Sequence, residues 1–296
     1  MNYYMAHEEN QYIQLIRDIL DKGSEEISRN GKVLSLFGYS MRFSLKNGVM
    51  PLLTTKRVAW KTCFNELRWF IRGSTNNVEL NKDNVNIWNG NSTREFLDNR
   101  GLTENMVGDL GPVYGHQWRH FNAPYENCES DYIGKGVDQL LNIIKSLKDP
   151  TQRTSRRLVL SSWNPEQIEE MALPPCHIMA QFNVRQGKYL SCALYQRSCD
   201  VGLGVPFNIA SYSFLTHILA RHCDLIADEF VCFLGNVHIY EEHIEPLQTQ
   251  IKLDPYEFPR ITIREKYDDI ERYTIDDVNW DIIYRHHGTI KMNMVP

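Results

Sequence analysis

Residues 173–197 read Leu173-Pro174-Pro175-Cys176-His177-Ile178-Met179-Ala180-Gln181-Phe182-Asn183-Val184-Arg185-Gln186-Gly187-Lys188-Tyr189-Leu190-Ser191-Cys192-Ala193-Leu194-Tyr195-Gln196-Arg197. Ile178, Ala180, Phe182 and Val184 alternate with Met179, Gln181, Asn183 and Arg185, and after Gln186-Gly187 the alternation resumes through Leu190, Cys192 and Leu194. A period of two with a glycine-containing break is the pattern of a β-hairpin. Two prolines precede it. They stiffen the chain and force extended geometry on the residues ahead of them, so Cys176 is presented at a fixed place where a loop enters a sheet.

Outward from the hairpin, the apolar spacing becomes helical. Tyr12, Leu15, Ile16, Ile19 and Leu20 form one stripe that stops at Gly23, which predicts a first helix. Trp60, Cys63, Phe64, Leu67 and Ile71 form a second, closed by Gly73, with Trp69 opposite the stripe, so this helix is expected to be buried on several sides. Val137, Leu140, Leu141, Ile144 and Leu147 predict a third before Pro150. Further helices are expected over 209–223 and 239–252, with a strand over 229–237 between them. Strands and helices mixed without regular βαβ alternation predict the α+β class, with a large mixed β-sheet flanked by helices.

The 296 residues contain no low-complexity run, linker or repeat and read as one domain, 1–296, with a surface excursion over 89–134, rich in Asn, Gly, Glu and Asp. Hydrophobic residues at 42% supply a sizeable core. A net charge of -5 gives no general attraction for nucleic acid or anionic membrane, so an anionic ligand must be held by a local cluster of cations. The absence of a long apolar run and of a signal pattern in Met1–Asn10 predicts a cytoplasmic chain, or a nuclear one. Cysteines 63, 128, 176, 192, 199, 223 and 232 are odd in number and lack paired CxxC spacing, so neither a disulfide framework nor a zinc site is indicated and no metal is expected.

A thiol fixed by two prolines is what covalent catalysis requires; the alternative is one more buried core cysteine. Arg156, Arg157, Arg185 and Arg197 fall in the same third of the chain, and guanidinium groups lower the pKa of a nearby thiol. Neighbouring strand residues point to opposite faces, so Cys176 and His177 are not read as a dyad. A second cluster is Tyr195-Gln196-Arg197-Ser198-Cys199-Asp200, followed by Gly202-Leu203-Gly204-Val205-Pro206-Phe207-Asn208. Arg197 and Ser198 can both hydrogen-bond one phosphate, and the glycines allow close approach to the main chain. The alternative is a solvated strand end and an ordinary turn. With Arg156 and Arg157, several guanidinium groups can surround one dianionic phosphate.

These stretches carry a resemblance. Pro-Leu-Leu-Thr-Thr-Lys-Arg (51–57), Gly-Asp-Leu-Gly-Pro-Val-Tyr-Gly-His-Gln-Trp-Arg (108–119), Leu-Pro-Pro-Cys-His (173–177), Tyr-Gln-Arg-Ser (195–198), Gly-Val-Pro-Phe-Asn-Ile-Ala-Ser-Tyr (204–212) and His-Ile-Tyr (238–240) occur in the order of the thymidylate synthase family, which the chain resembles from Ser35 to Ile290-Lys-Met-Asn-Met294. Six long motifs in register are far more specific than any one.

The resemblance implies reductive methylation of dUMP to dTMP, with 5,10-methylenetetrahydrofolate giving carbon and hydride and leaving as dihydrofolate. Cys176 would add to C6 of uracil and make C5 nucleophilic. Asn208 would accept from N3–H and donate towards O4, discriminating uracil from cytosine; as plain structure it reads as a helix N-cap before Ile209. Glu66 would organise proton transfer around O4 and the folate, and its helical position predicts burial and a raised pKa. Tyr114 and His177 would support the water network and removal of the C5 proton. Arg29, Arg197 and Ser198 would bind phosphate, His238 and Tyr240 the ribose, and Asp200 both substrate and pterin. Arg156 and Arg157 would reach into the other subunit's site, which implies an obligate homodimer whose sheets pack together. Folate contacts would be Ile87, Trp88, Asn91, Asp200, Leu203, Gly204, Phe207 and Met294, with the final residues closing over the ligands.

The chain departs from the family pattern at four places: a phosphate loop one residue short after Arg29, Ala59 in place of an aromatic, Asn236 in place of an aspartate, and Pro296 at the end. These bear on efficiency and folate affinity. Two other readings are a dCMP hydroxymethylase-like enzyme, which would need an acid facing the cytosine edge where this chain has Asn208, and an inactive relative acting as a binding protein.

Overall fold

The computed structural model describes residues 7–28 and 31–294. In chain order the elements are α1 (Asn10–Lys22), β1 (Ser24–Ser28), β2 (Gly31–Ser44), α2 (Trp60–Ile71), α3 (Asn77–Lys82), α4 (Arg94–Asn99), α5 (Tyr114–His120), α6 (Gln139–Lys148), β3 (Val159–Ser161), β4 (His177–Arg185), β5 (Tyr189–Asp200), α7 (Gly204–His222), β6 (Ile226–Tyr240), α8 (Ile244–Gln250), β7 (Arg260–Ile263) and β8 (Val278–Ile282). A six-stranded sheet runs β1-β2-β6-β5-β4-β3, and β7-β8 form a separate ribbon. The large sheet is mixed: β5 and β6 are parallel, joined across α7, and the other pairs are antiparallel. This is the expected α+β architecture.

The hairpin forms as the alternation predicts. Ala180, Phe182 and Val184 are buried while Met179, Gln181, Asn183 and Arg185 are exposed, and Gln186 and Gly187 both take positive φ (55° and 63°), as a primed turn requires. Two side-chain rows cross the strands on the covered face: Ala180, Leu194, Cys232 and Met41, then Phe182, Cys192, Phe230 and Phe43. α7 and α1 pack over this face. The other face exposes a row of Met179, Tyr195 and Phe233.

The helices at 10–22 and 60–71 follow the predicted stripes, and Trp69 is fully buried, so α2 is enclosed on several sides; the helix at 139–148 buries Leu140, Ile144 and Leu147 of its stripe, while Leu141 is exposed and Val137 precedes the helix, bridged to Phe121. The helix expected over 239–252 is shorter. Residues to Tyr240 complete β6, a 3-10 turn spans Glu241–His243, and helix occupies only Ile244–Gln250. The apolar run Val237-His238-Ile239 fits either periodicity, and ladder pairing with β2 decides for strand. Within 89–134, residues Asp109 to Trp118 are buried and include α5. No helix among the described residues is long and apolar enough to cross a membrane.

Candidate active site

Cys176 is held by backbone and side-chain bonds on both flanks. The Arg197 guanidinium donates from Nε to the Pro175 carbonyl (2.8 Å) and from Nη2 to the Pro174 carbonyl (2.9 Å). The Arg197 amide donates to the Cys176 carbonyl at 2.8 Å, and the Cys176 amide donates to Tyr114 Oη at 2.8 Å. Prolines supply no N–H of their own, so the loop is anchored through its carbonyls. Cys176 and Cys128 are half-buried and the other cysteines are buried. Burial pushes the thiols of Cys192, Cys223 and Cys232 up to about 12, and burial together with Asp109 does the same at Cys128. Cys63 and Cys199 are likewise raised, first by burial. None of these six is a thiolate near neutral pH.

His177 stacks on Tyr114 at 4.1 Å and shares a 2.7 Å hydrogen bond between Nδ1 and Tyr212 Oη. Burial lowers its imidazole to about 3, so it is neutral across the working range. Burial also holds the Tyr114 and Tyr212 phenols far above their ordinary value, which keeps both protonated.

A cavity of about 720 Å³ opens beside this loop, with Leu173 and His177, the chain neighbours of Cys176, in its wall. Its floor holds Glu66 from α2. Burial raises the Glu66 carboxyl to about 7, with the Trp88 indole N–H, donating to Oε1 at 2.7 Å, working against the shift. Ile87, Trp88, Asn91, Asp200, Leu203, Gly204, Phe207, Asn208 and Met294 line the same space. Sequence reading assembled these from four separated segments, and the fold brings them together. Asn208 is not the N-cap: α7 starts at Gly204, so Asn208 sits inside its second turn, and Pro206 is tolerated because first-turn amides need no intrahelical partner.

Asp200, at the end of β5, accepts the Gly202 amide at 2.8 Å. Burial would raise its carboxyl, but His243 and His238 outweigh that and hold it below the ordinary range. Ser198 pairs with Asn236 and Asp200 with His238, so the ends of β5 and β6 continue the covered-face alternation with polar groups. His238 Nδ1 lies 3.0 Å from Asn236 Oδ1, and burial lowers its imidazole. The Tyr240 ring meets that of His238 at 5.3 Å.

Arg156 and Arg157 are exposed on a surface turn and do not line this cavity. Arg29 and Pro296 lie outside the described residues. Two side chains in the cavity wall, Lys56 and Arg57, escaped sequence reading. Lys56 is buried, its Nζ donates to the Gly202 carbonyl, and burial lowers it to about 8 against the pull of Asp200 and Glu9. Arg57 bonds the tail through its amide, which donates to the Gly288 carbonyl at 2.6 Å. Residues 289–293 join Met294 in the wall. Lys56 and Arg57 stood inside a quoted motif, but their partners lie far along the chain and leave no local signal. Ala59 also lines the cavity and is exposed.

Comparison with known proteins agrees with this arrangement. The family model described as "Thymidylate synthase" matches residues 10–296. The chain is 51% identical over 293 residues to a "Bifunctional dihydrofolate reductase-thymidylate synthase" of Plasmodium berghei, covering 98% of this chain and 49% of that protein. It is 50% identical over 302 residues to a "Probable thymidylate synthase" of Schizosaccharomyces pombe, covering 98% and 48%. It is 50% identical over 289 residues to the "Thymidylate synthase" of Human herpesvirus 8 type P, covering 97% and 84%. The chain thus spans about half the length of the first two relatives and most of the third. With a family model over nearly its whole length and a relative half identical to it over most of that protein, the chain belongs to the thymidylate synthase family.

Proposed function

We propose that the chain catalyses the reductive methylation of dUMP to dTMP, with 5,10-methylenetetrahydrofolate as co-substrate. The observation that carries this reading is the fixed Cys176 loop, pinned by Arg197 and Tyr114, beside a cavity that joins the buried Glu66 carboxyl to Asn208 and Asp200.

Cys176 adds through sulfur to C6 of uracil, and the electron pair of the 5,6-double bond moves towards C5 and O4. The Asn208 amide donates to the O4 that gains charge and accepts from N3–H. Glu66, protonated below about 7, supplies a proton near O4 and takes part in the transfers that follow. C5 bonds to the transferred carbon and gives up its proton to water, the bond from that carbon to the folate nitrogen breaks with its electron pair left on nitrogen, and hydride addition to the carbon expels the Cys176 sulfur from C6 with its electron pair to release product. His177 is too weak a base to take that proton and acts as a neutral positioning group together with Tyr114 and Tyr212. The folate, when bound, supplies one carbon and the hydride that reduces it. The apolar and aromatic wall of Ile87, Trp88, Leu203 and Phe207 fits its flat rings, and the low-pKa carboxylate of Asp200 accepts from pterin N–H groups. The segment ending at Met294 forms one side of the cavity and closes over the ligands.

Arg197 and Ser198 hold phosphate from their own subunit, together with Arg29; His238 and Tyr240 hold the ribose. Arg156 and Arg157 complete the phosphate site of a second copy. The exposed row of Met179, Tyr195 and Phe233 supports sheet-to-sheet packing as the homodimer interface, because apolar strand faces of this kind are ordinarily covered. No nucleic acid or membrane takes part.

The test is direct. Purified chain with dUMP and 5,10-methylenetetrahydrofolate is expected to yield dTMP and dihydrofolate in equal amounts, read by chromatography and by absorbance. Formation of dTMP without dihydrofolate, or of neither by folded dimer, contradicts the reading.

A further inference from the structure

The carboxyl-terminal segment meets the rest of the chain at a buried imidazole. His243, in the 3-10 turn after β6, is 0% exposed. Its Nε2 lies 2.8 Å from the Asn293 carbonyl oxygen. Its Nδ1 has no hydrogen-bond partner and faces the Asp200 carboxylate at 3.7 Å, a charge contact too long for a hydrogen bond. Both ring nitrogens therefore face acceptors. A neutral imidazole carries one N–H, so one tautomer turns a lone pair on the Asn293 carbonyl and the other turns it on the Asp200 carboxylate. Only the imidazolium gives the Asn293 carbonyl its N–H while setting a positive charge, and no lone pair, against the Asp200 carboxylate.

The charges around the ring agree. Glu242, from the same turn, lies 3.8 Å from Nε2, and Asp200 stands at the end of β5. His238 on β6 opposes the cation, and the Lys56 ammonium is occupied on the Gly202 carbonyl. Burial lowers the His243 imidazole, but Asp200, the Asn293 carbonyl and Glu242 outweigh it and leave it raised. Gly202 makes the close approach possible, since an added Cβ would stand 2.6 Å from His243 Nδ1 and 3.2 Å from Met292 Sδ. Its amide also donates to Asp200 at 2.8 Å, so one glycine joins the carboxylate, the imidazole and the tail.

We propose that His243 is a positioning residue that, in its protonated form, latches the carboxyl-terminal segment over the cavity and couples that closure to the Asp200 carboxylate. The coupling rests on the assignment of Asp200 to the pterin made above. A pterin N–H donating to Asp200 and the cation of His243 share one carboxylate, so folate binding and tail closure answer to the same ionisation. The latch is fully formed at low pH and is lost as pH rises through the raised His243 value.

Hydrogen exchange of residues 289–294 in the free full-length protein tests this, comparing wild type with His243→Gln at matched pH from about 6 to about 9. Glutamine keeps a donor for the Asn293 carbonyl but cannot carry charge. Wild-type tail amides are expected to be protected about tenfold more than the variant's at the low end, with the difference vanishing as pH rises. The folate KM should climb over the same window in wild type and stay flat in the variant, with kcat moving less. Asp200→Asn should shift the exchange transition to lower pH, which a merely structural histidine would not do. Equal protection in wild type and variant, or wild-type protection independent of pH, overturns the latch. Turnover without any such difference removes the latch and leaves the proposed function standing; intact pH-dependent protection without turnover does the reverse.

Discussion

Glu66 shows what a single residue contributes and what it costs. Its carboxyl is pushed from 4.5 up to about 7 by burial, so within that window the folded chain holds a proton that the unfolded chain has released. The stability associated with this proton is complete below the unfolded value and is lost as pH rises through the folded one, by about 3 kcal/mol in all. Glu66→Gln should therefore raise the urea midpoint near pH 8 and leave it almost unchanged near pH 4, while lowering turnover by about a hundredfold. An unfolding midpoint at the higher pH that does not rise would mean that the carboxyl is not held neutral. The sequence allowed the burial of Glu66 to be foreseen from its angle on α2, between Trp69 and Phe70. The neutrality of His177 was not legible, because the aromatic enclosure that lowers it comes from α5 and α7, remote in sequence.

At the scale of elements, the residue that precedes α1 fixes the loop that carries Lys56 and Arg57. Glu9 is fully buried, and its carboxylate accepts the amides and hydroxyls of Thr54 and Thr55 in four bonds of 2.6 to 2.8 Å. Four donors converging on one buried carboxylate make a charge-assisted clamp. Glu9→Ala strands the two amides and should cost about 3 kcal/mol or more in urea unfolding, together with a raised folate KM as the loop loosens. A loss below about 1 kcal/mol would mean that the clamp is incidental. Local periodicity found α1, α2, α6 and the hairpin because their apolar residues repeat within one element. It did not find β1 or β2, whose exposed and buried residues follow no sustained alternation, nor the clamp, whose partners lie 45 residues apart. The overlong helix over 239–252 failed for a related reason: ladder pairing with β2 sets its boundary, and that pairing is invisible from nearby residues.

For the whole molecule, the proposed second copy accounts at once for the exposed row on the open sheet face and for the position of Arg156 and Arg157 away from the cavity. Phe233, at the β6 end of that row, is 46% exposed. Phe233→Lys is expected to shift the chain to monomer in sedimentation analysis and to raise the dUMP KM at least about tenfold, because each phosphate site then loses the guanidinium groups of its partner. A monomeric variant with unchanged dUMP affinity would refute the shared site. Most of the cavity wall was legible from motif order, since its lining residues cluster in short runs such as Leu203 to Asn208. What the motifs did not show is the tail's own docking on Gly202 and His243, where Asn293 meets His243 across 50 residues and Met292 approaches Gly202 across a longer stretch still.

The central claim is a bond from sulfur to the pyrimidine, and intact-protein mass spectrometry with 5-fluoro-dUMP and 5,10-methylenetetrahydrofolate reads it directly. Fluorine cannot leave C5 as a proton, so the ternary adduct should persist as one nucleotide plus one folate per chain, mapped to the Cys176 peptide and absent from Cys176→Ser. An adduct on any other residue, or dTMP formation by Cys176→Ser, would contradict the account.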